Sequence, residues 1–228
     1  MEKISRVLFL GKEDDLGCKQ ALEYLHTKTD DIVSVLGTWD EPLPSHRRAE
    51  VMEWRGDLLI SYLCRWIIPQ SVSENASRFA INFHPGSPEY PGAGCNNFAL
   101  YEDSPTYGPT CHHIVPVVDS GPIIATRTFP VDAKDSVATL LQRTYDEMYE
   151  MYTEVIDGIF DHGTVPDPAL TWTGRTNSRK GLRDLMAIEP DMSAEEVAKR
   201  IRATSFGQWQ PSITLHGHRF IYEPESGE

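Results

Sequence analysis

The chain has 228 residues, with 21 Lys and Arg against 34 Asp and Glu and a formal net charge of −13. That length holds one large domain, or one domain with a small addition, and buries a core without disulfide or metal staples. The composition, 40% hydrophobic and 24% charged, is that of a globular protein, and the acidic excess argues against a nucleic-acid partner, whose affinity comes chiefly from neutralising phosphates.

No apolar run approaches the roughly 18 to 20 residues that a membrane span needs. The opening MEKISRVLFLGKEDD has a short apolar segment followed at once by charge, without the cleavage site of a secretory leader. Cys18, Cys64, Cys95 and Cys111 are scattered with no C-x-x-C pair. Neither a zinc knuckle nor a disulfide framework is expected, no metal is expected, and a cytoplasmic location with reduced thiols is.

Short apolar runs at 6–10, 31–36, 57–63 and 78–83 read as buried strands. Between the first two, Leu16, Ala21, Leu22 and Leu25 fall at helical spacing. Residues 38–48, with Pro42 and Pro44, read as a surface loop, and Pro69 fits the first turn of a short helix. Strand–helix alternation of this kind implies an α/β fold with a parallel sheet and helices on its faces. His84 to Gly94 then holds three Pro and three Gly and reads as a loop of fixed backbone, followed by a short helix over 95–102. Segments 110–117 and 122–131 are expected as a hairpin around Asp119-Ser120-Gly121. The longest helical pattern runs over 136–162, with Ser136 as its cap. From Gly163 the composition shifts, and a small appendage is expected with a helix over 193–203, capped by Ser193, and a hairpin over 213–222 around His216-Gly217-His218.

Ligands of open α/β sheets bind beyond the carboxyl ends of the strands, which draws attention to Asn82-Phe83-His84-Pro85-Gly86. With a side-chain period of two, Asn82 and His84 share one face. An amide that donates to a developing oxyanion, an imidazole that exchanges a proton and Asp119 that orients it together suit acyl transfer to an amine. His112 and His113 are adjacent, so they face opposite sides of a strand and do not chelate one metal from it; Thr110 and His112 also read as ordinary strand residues. Residue types and spacing by themselves leave the reaction open.

The ordered set Asn82-x-His84-Pro85-Gly86, Tyr90-Pro91-Gly92, Gly108-x-Thr110-x-His112 and Asp119-x-Gly121-x-Ile123-Ile124 resembles the folate-dependent formyltransferases. That family includes glycinamide ribonucleotide transformylase, methionyl-tRNA formyltransferase and the sugar N-formyltransferases. The resemblance implies a Rossmann-like domain, placed over 1–162, and N10-formyltetrahydrofolate as formyl donor; in the remaining extension over 163–228 the hairpin over 213–222 suits dimerisation, since an isolated two-stranded hairpin is barely stable. It implies Asn82, His84 and Asp119 as the catalytic set, with direct attack of an amine on the formyl carbon and a tetrahedral oxyanion held by Asn82 and His84. It also implies a pterin site formed by Leu63, Arg65, Ile67 and Ile68 together with Asp119, Gly121 and Ile123, the backbone bonding the pterin edge.

Departures from the family narrow the acceptor. Where the purine enzyme has a Gly-rich phosphate loop, this chain reads Gly11-Lys12-Glu13-Asp14-Asp15, three carboxylates where an anion would sit. The tail is short for a tRNA-binding domain. The sugar N-formyltransferases remain, with a nucleotide-linked amino sugar as substrate and Glu89, Tyr90, Asn96 and Asn97 as candidate contacts. The alternatives are another amine, such as glycinamide ribonucleotide or an aminoacyl group on a carrier or tRNA, and a folate-binding protein without turnover.

Overall fold

The structure is a computed structural model and describes residues 4–224. Its elements in chain order begin with β1 (Val7–Lys12), α1 (Leu16–His26), β2 (Ile32–Gly37), α2 (Arg48–Glu53), β3 (Gly56–Tyr62), α3 (Gln70–Ser73) and β4 (Ala76–His84). Then come α4 (Cys95–Tyr101), β5 (Thr106–Tyr107), β6 (Thr110–His113), β7 (Ile123–Thr126), β8 (Phe129–Pro130) and α5 (Val137–His162). The tail adds α6 (Arg179–Met186), β9 (Ala187–Ile188), α7 (Ala194–Thr204), β10 (Ser212–Leu215) and β11 (His218–Ile221).

Six strands form the main sheet in the order β2-β1-β3-β4-β6-β7. The first four are parallel to their neighbours, and β6 and β7 are added antiparallel. The central strands β1 and β3 are buried on both faces, which explains why each reads as a continuous apolar run. Alternation then divides the side chains. Val7, Phe9, Leu58 and Ile60 face the layer of α1 and α5, while Leu8, Leu10 and Leu59 face the layer of α2 and α3. Tyr152 of α5 lies in the first layer and donates to the Ala21 carbonyl of α1 at 3.0 Å, tying the two helices together. A third cluster joins Ala99 and Leu100 of α4 to Leu140 of α5 and Ala203 of α7, so the end of the chain packs into the core of its middle.

The sequence-based expectations differ from this fold in four places. Leu16 is 71% exposed, and the buried stripe of α1 is Cys18, Ala21 and Leu25. The stretch expected as a surface loop over 38–48 passes into a 3-10 turn at 45–47 and then α2, whose single buried residue, Val51, gives no legible period. The hairpin strands are short: β6 ends at His113 and β7 begins at Ile123, because Pro116 and Pro122 supply no N–H to a ladder. Helix α6 also buries one side chain, Leu185, and went unread. The expected caps are present: Ser136 accepts from Thr139 N and Ser193 from Glu196 N. The terminal hairpin turns through His216 and Gly217, both at positive φ, as a two-residue turn matched to strand twist requires.

Candidate active site

The register of β4 against β6 sets His112 directly across from Asn82 and Thr110 across from His84. Asn82 Nδ2 lies 3.0 Å from His112 Nε2. The His113 carbonyl, 2.8 Å from His112 Nδ1, can only accept, so His112 donates to it through Nδ1. Asp119 enters from the long β6–β7 connection at φ 47, a left-handed conformation that Asp tolerates better than most residues. This turns its carboxylate between the two rings, with Oδ2 3.4 Å from His84 Nδ1 and Oδ1 3.3 Å from His112 Nε2. Gly92 N donates to Asp119 Oδ2 at 2.9 Å, and His84 Nε2 donates to the Tyr90 carbonyl at 3.2 Å. The β4 end, the β6–β7 connection and the Pro-rich loop thus meet at one cluster.

Burial would push His84 towards its neutral form, but the Asp119 carboxylate and the contacts to Cys95 and Tyr90 outweigh it and raise its pKa to about 9. Burial opposes ionisation of Asp119 too, and its two imidazole neighbours and the Gly92 amide hold it below the usual range. At neutral pH the pair is therefore imidazolium and carboxylate, a dry charge pair of the kind found where proton transfer is organised.

Trp172 completes the cluster, and sequence reading missed it. Its indole N–H donates to the Gly121 carbonyl at 2.8 Å, and its ring stands edge-on to His112 at 5.1 Å and to His84 at 5.9 Å. It arrives on a tail segment laced to the Pro-rich loop: Thr173 N donates to Pro88 O at 3.1 Å, Asn177 N to Pro91 O at 2.8 Å and Ala93 N to Asn177 O at 2.9 Å. Gly174 passes so close that a Cβ would lie 1.7 Å from the Glu89 carbonyl. No local pattern marks Trp172, because its partners are over fifty residues away in sequence. His112 did carry a signal, two residues past Thr110 in the Gly-x-Thr-x-His stretch.

The other predicted contacts separate. Leu63 sits at φ 53 just past β3, turns the chain off the sheet and packs on the first core layer. Ile67 is 69% exposed whereas Ile68 packs beneath the sheet, so the two do not form one wall. Arg65 stacks on Trp39, the Gly121 carbonyl is engaged by Trp172, and Ile123 is buried. Tyr90 offers its carbonyl to the site and its ring to the core beside Tyr107. Glu89 is exposed on the loop and Asn96 is buried. Asn97 is committed elsewhere, donating to Ala203 O at 2.7 Å and bracing α4 against α7. At the first loop, Asp15 caps α1 and pairs with Lys12 at 2.9 Å, so one of the three carboxylates is already neutralised and occupies the helix start itself.

Residues 40–156 match the sequence model described as formyl transferase. The chain belongs to the formyl transferase family. A curated relative, the dTDP-4-amino-4,6-dideoxyglucose formyltransferase of Mycobacterium tuberculosis, is 30% identical over 146 residues, covering 64% of this chain and 60% of the relative. The aligned stretch is thus less than two thirds of that formyltransferase. Among solved structures, a sugar N-formyltransferase from a Shewanella species superposes with a TM-score of 0.78 at 16% identity, covering 96% of this chain and 97% of that one. An N-formyltransferase of Helicobacter canadensis, solved with folinic acid and dTDP-3-aminofucose, superposes at 0.73 and 18% identity over 94% of this chain and 85% of its own. This formyl transferase therefore shares its fold with theirs, extension included.

Proposed function

We propose that this chain transfers a formyl group from N10-formyltetrahydrofolate to the amine of a nucleotide-linked amino sugar. The observation that carries the reading is the meeting of Asn82, His84 and Asp119 at one buried point beyond β4. The family membership and the sugar-nucleotide relative support it.

The donor set fits a carbonyl that gains negative charge. The Asn82 amide carries two N–H donors, and a cationic His84 stands two residues away on the same strand face. When bound, the folate supplies an activated formyl carbon. The bond that forms is from the acceptor nitrogen to that carbon, and the bond that breaks is from the carbon to N10. Asp119 holds the His84 cation in place and, directly or through water, takes the proton that the acceptor nitrogen loses; His84 returns a proton to the departing nitrogen. Trp172 keeps water from the imidazoles. The backbone at Leu63, Arg65 and Ile67, together with Gly121, borders the space for the pterin.

In this reading residues 1–162 carry the chemistry, and 163–228 complete the site and supply a dimer contact, acting in the cytoplasm. Leu215 and Phe220, on one face of the terminal hairpin, are 39% and 56% exposed, and Ile221 on the other face is 59% exposed, apolar surface that suits a second copy of the chain. Among the described residues no helix is long and apolar enough to cross a membrane. The acceptor class is tested with three amines beside the same folate: amino-sugar nucleotides, glycinamide ribonucleotide and aminoacyl-tRNA. Formylation of a member of the first class, read by mass spectrometry, is the expected outcome; turnover confined to either of the others contradicts it.

A further inference from the structure

Arg65 stands apart among the basic side chains. Most half-buried Lys and Arg residues have acidic partners, as in Lys12–Asp15, Lys28–Asp157, Arg127–Glu147 and Arg143–Asp135. Arg78 bonds the Gly163 carbonyl. Among the described residues Arg65 is the half-buried cation with neither an ion pair nor a hydrogen bond, in a chain with 34 acids to choose from. What it has is an aromatic platform. Its guanidinium carbon lies 3.8 Å from the centroid of the Trp39 ring, and Trp39 lies 5.2 Å from Trp209 at an interplanar angle of 43°. The two indoles come from the loop after β2 and the segment after α7, yet Trp39 is 56% and Trp209 42% exposed, so core packing does not account for them.

The location fits an extended ligand. Tyr62 pairs with Phe83, so the chain from Leu63 to Arg65 leaves β3 beside the end of β4 that carries His84. Trp39 follows β2, three strand spacings from β4, or about 14 Å along the carboxyl edge of the sheet. The edge crosses the point between β1 and β3 where the strand order reverses, the usual crevice of such sheets. Asn177 bridges to Gly92 and brings Arg179, the first residue of α6, to the same rim. Burial and the nearby Arg179 both act to lower the pKa of Arg65, against the opposing pull of Tyr145 and Asp15. Two like charges gathered without a paired acid call for an anion. The loop after β1 does not offer one a seat, since Asp15 fills it.

We propose that Arg65 and Arg179 bind the diphosphate of the acceptor's nucleotide, and that Trp39 and Trp209 pack against its base. This rests on the proposed sugar-nucleotide reading and names the part of that substrate remote from the amine. A guanidinium on an aromatic platform also suits the aromatic and carboxylate portions of a folate, so the test separates the two.

Full-length protein is titrated with dTDP, UDP and GDP, and separately with tetrahydrofolate, following tryptophan fluorescence and calorimetry. One nucleoside diphosphate is expected to bind, more weakly as salt rises. Arg65→Gln is expected to raise its Kd about tenfold or more. Trp39→Ala is expected to raise it about fivefold or more, and Trp39→Phe to restore most of that loss. Lys134→Gln, an exposed cation in the connection between β8 and α5, leaves Kd unchanged, and melting temperatures confirm that all variants fold. The proposal is overturned if no nucleoside diphosphate binds, if Arg65→Gln and Trp39→Ala leave its Kd unaltered, or if they weaken tetrahydrofolate alone. Binding needs no turnover, so the two readings fail separately. Arg65-dependent nucleotide binding without formylation of any amino sugar upholds the anchor and sinks the reaction. Formylation that ignores Arg65 and Trp39 sinks the anchor alone.

Discussion

His84 and Asp119 each alter the other's protonation, and the sign of the effect gives a pH test. The folded-state pKa of His84 is raised from an ordinary value of about 6.5 to about 9. Its stabilisation is therefore complete below about pH 6.5 and is lost as pH rises through about 9. Asp119 is shifted down, so its own contribution holds above the ordinary carboxylate range and fails only in acid. The melting temperature should decline between pH 6.5 and 9, and His84→Gln should flatten that decline. Asp119→Asn removes the charge that sustains the imidazolium. It should bring the alkaline limb of the kcat profile to lower pH and cut kcat by about a hundredfold or more. Trp172→Ala should lower kcat by up to about a hundredfold through misplacement of the imidazoles and the Gly121 turn, with Trp172→Phe between it and the wild type in steady-state assays. Of these residues, Asn82, His84 and Asp119 were legible because strand period and the family motifs point to them. Trp172 was not, since a lone Trp in a loop has no period and its role comes from a tertiary contact.

At the scale of elements, the site depends on how tightly the β6–β7 connection lies on its neighbours. A Cβ at Gly121 would come within 1.9 Å of the His113 carbonyl, which itself accepts from His112 Nδ1. Gly121→Ala should thus cost about 1–3 kcal/mol in chemical denaturation and lower activity beyond that, because it pushes on the carbonyl that fixes the His112 proton. Asn97→Ala should cost about 1–3 kcal/mol by leaving the Ala203 carbonyl unpaired, with little change in kcat, since it braces α4 on α7 and does not face the imidazoles. The central parallel strands β1 and β3 were readable because burial on both faces gives solid apolar runs. Helices α2 and α6 each bury one side chain, so neither writes a period into the sequence. The β6–β7 connection was read as a tight turn because Asp-Ser-Gly is turn-like, while the two prolines that lengthen it lie just outside.

For the whole molecule, the extension is built into the candidate site and the core. Its first stretch carries Trp172 to the imidazoles, α7 contributes Ala203 to the third core cluster, and the hairpin presents Phe220 and Ile221 outward. If that hairpin pairs two copies, Phe220→Asp with Ile221→Lys should shift the sedimentation velocity from dimer to monomer while melting changes little; a wild type that sediments as monomer removes the dimer. Against a net charge of −13, Arg65 is, among the described residues, the half-buried cation with neither an ion pair nor a hydrogen bond, which is why an anion is proposed for it. The central claim, that the cluster at the end of β4 moves a formyl group, is tested most directly by the rate of tetrahydrofolate release with an amino-sugar nucleotide present. Wild type should turn over, and Asn82→Ala and His84→Ala should each lose about a hundredfold or more in kcat while melting as cooperatively as the wild type. Folded variants that release tetrahydrofolate at the wild-type rate would contradict the account.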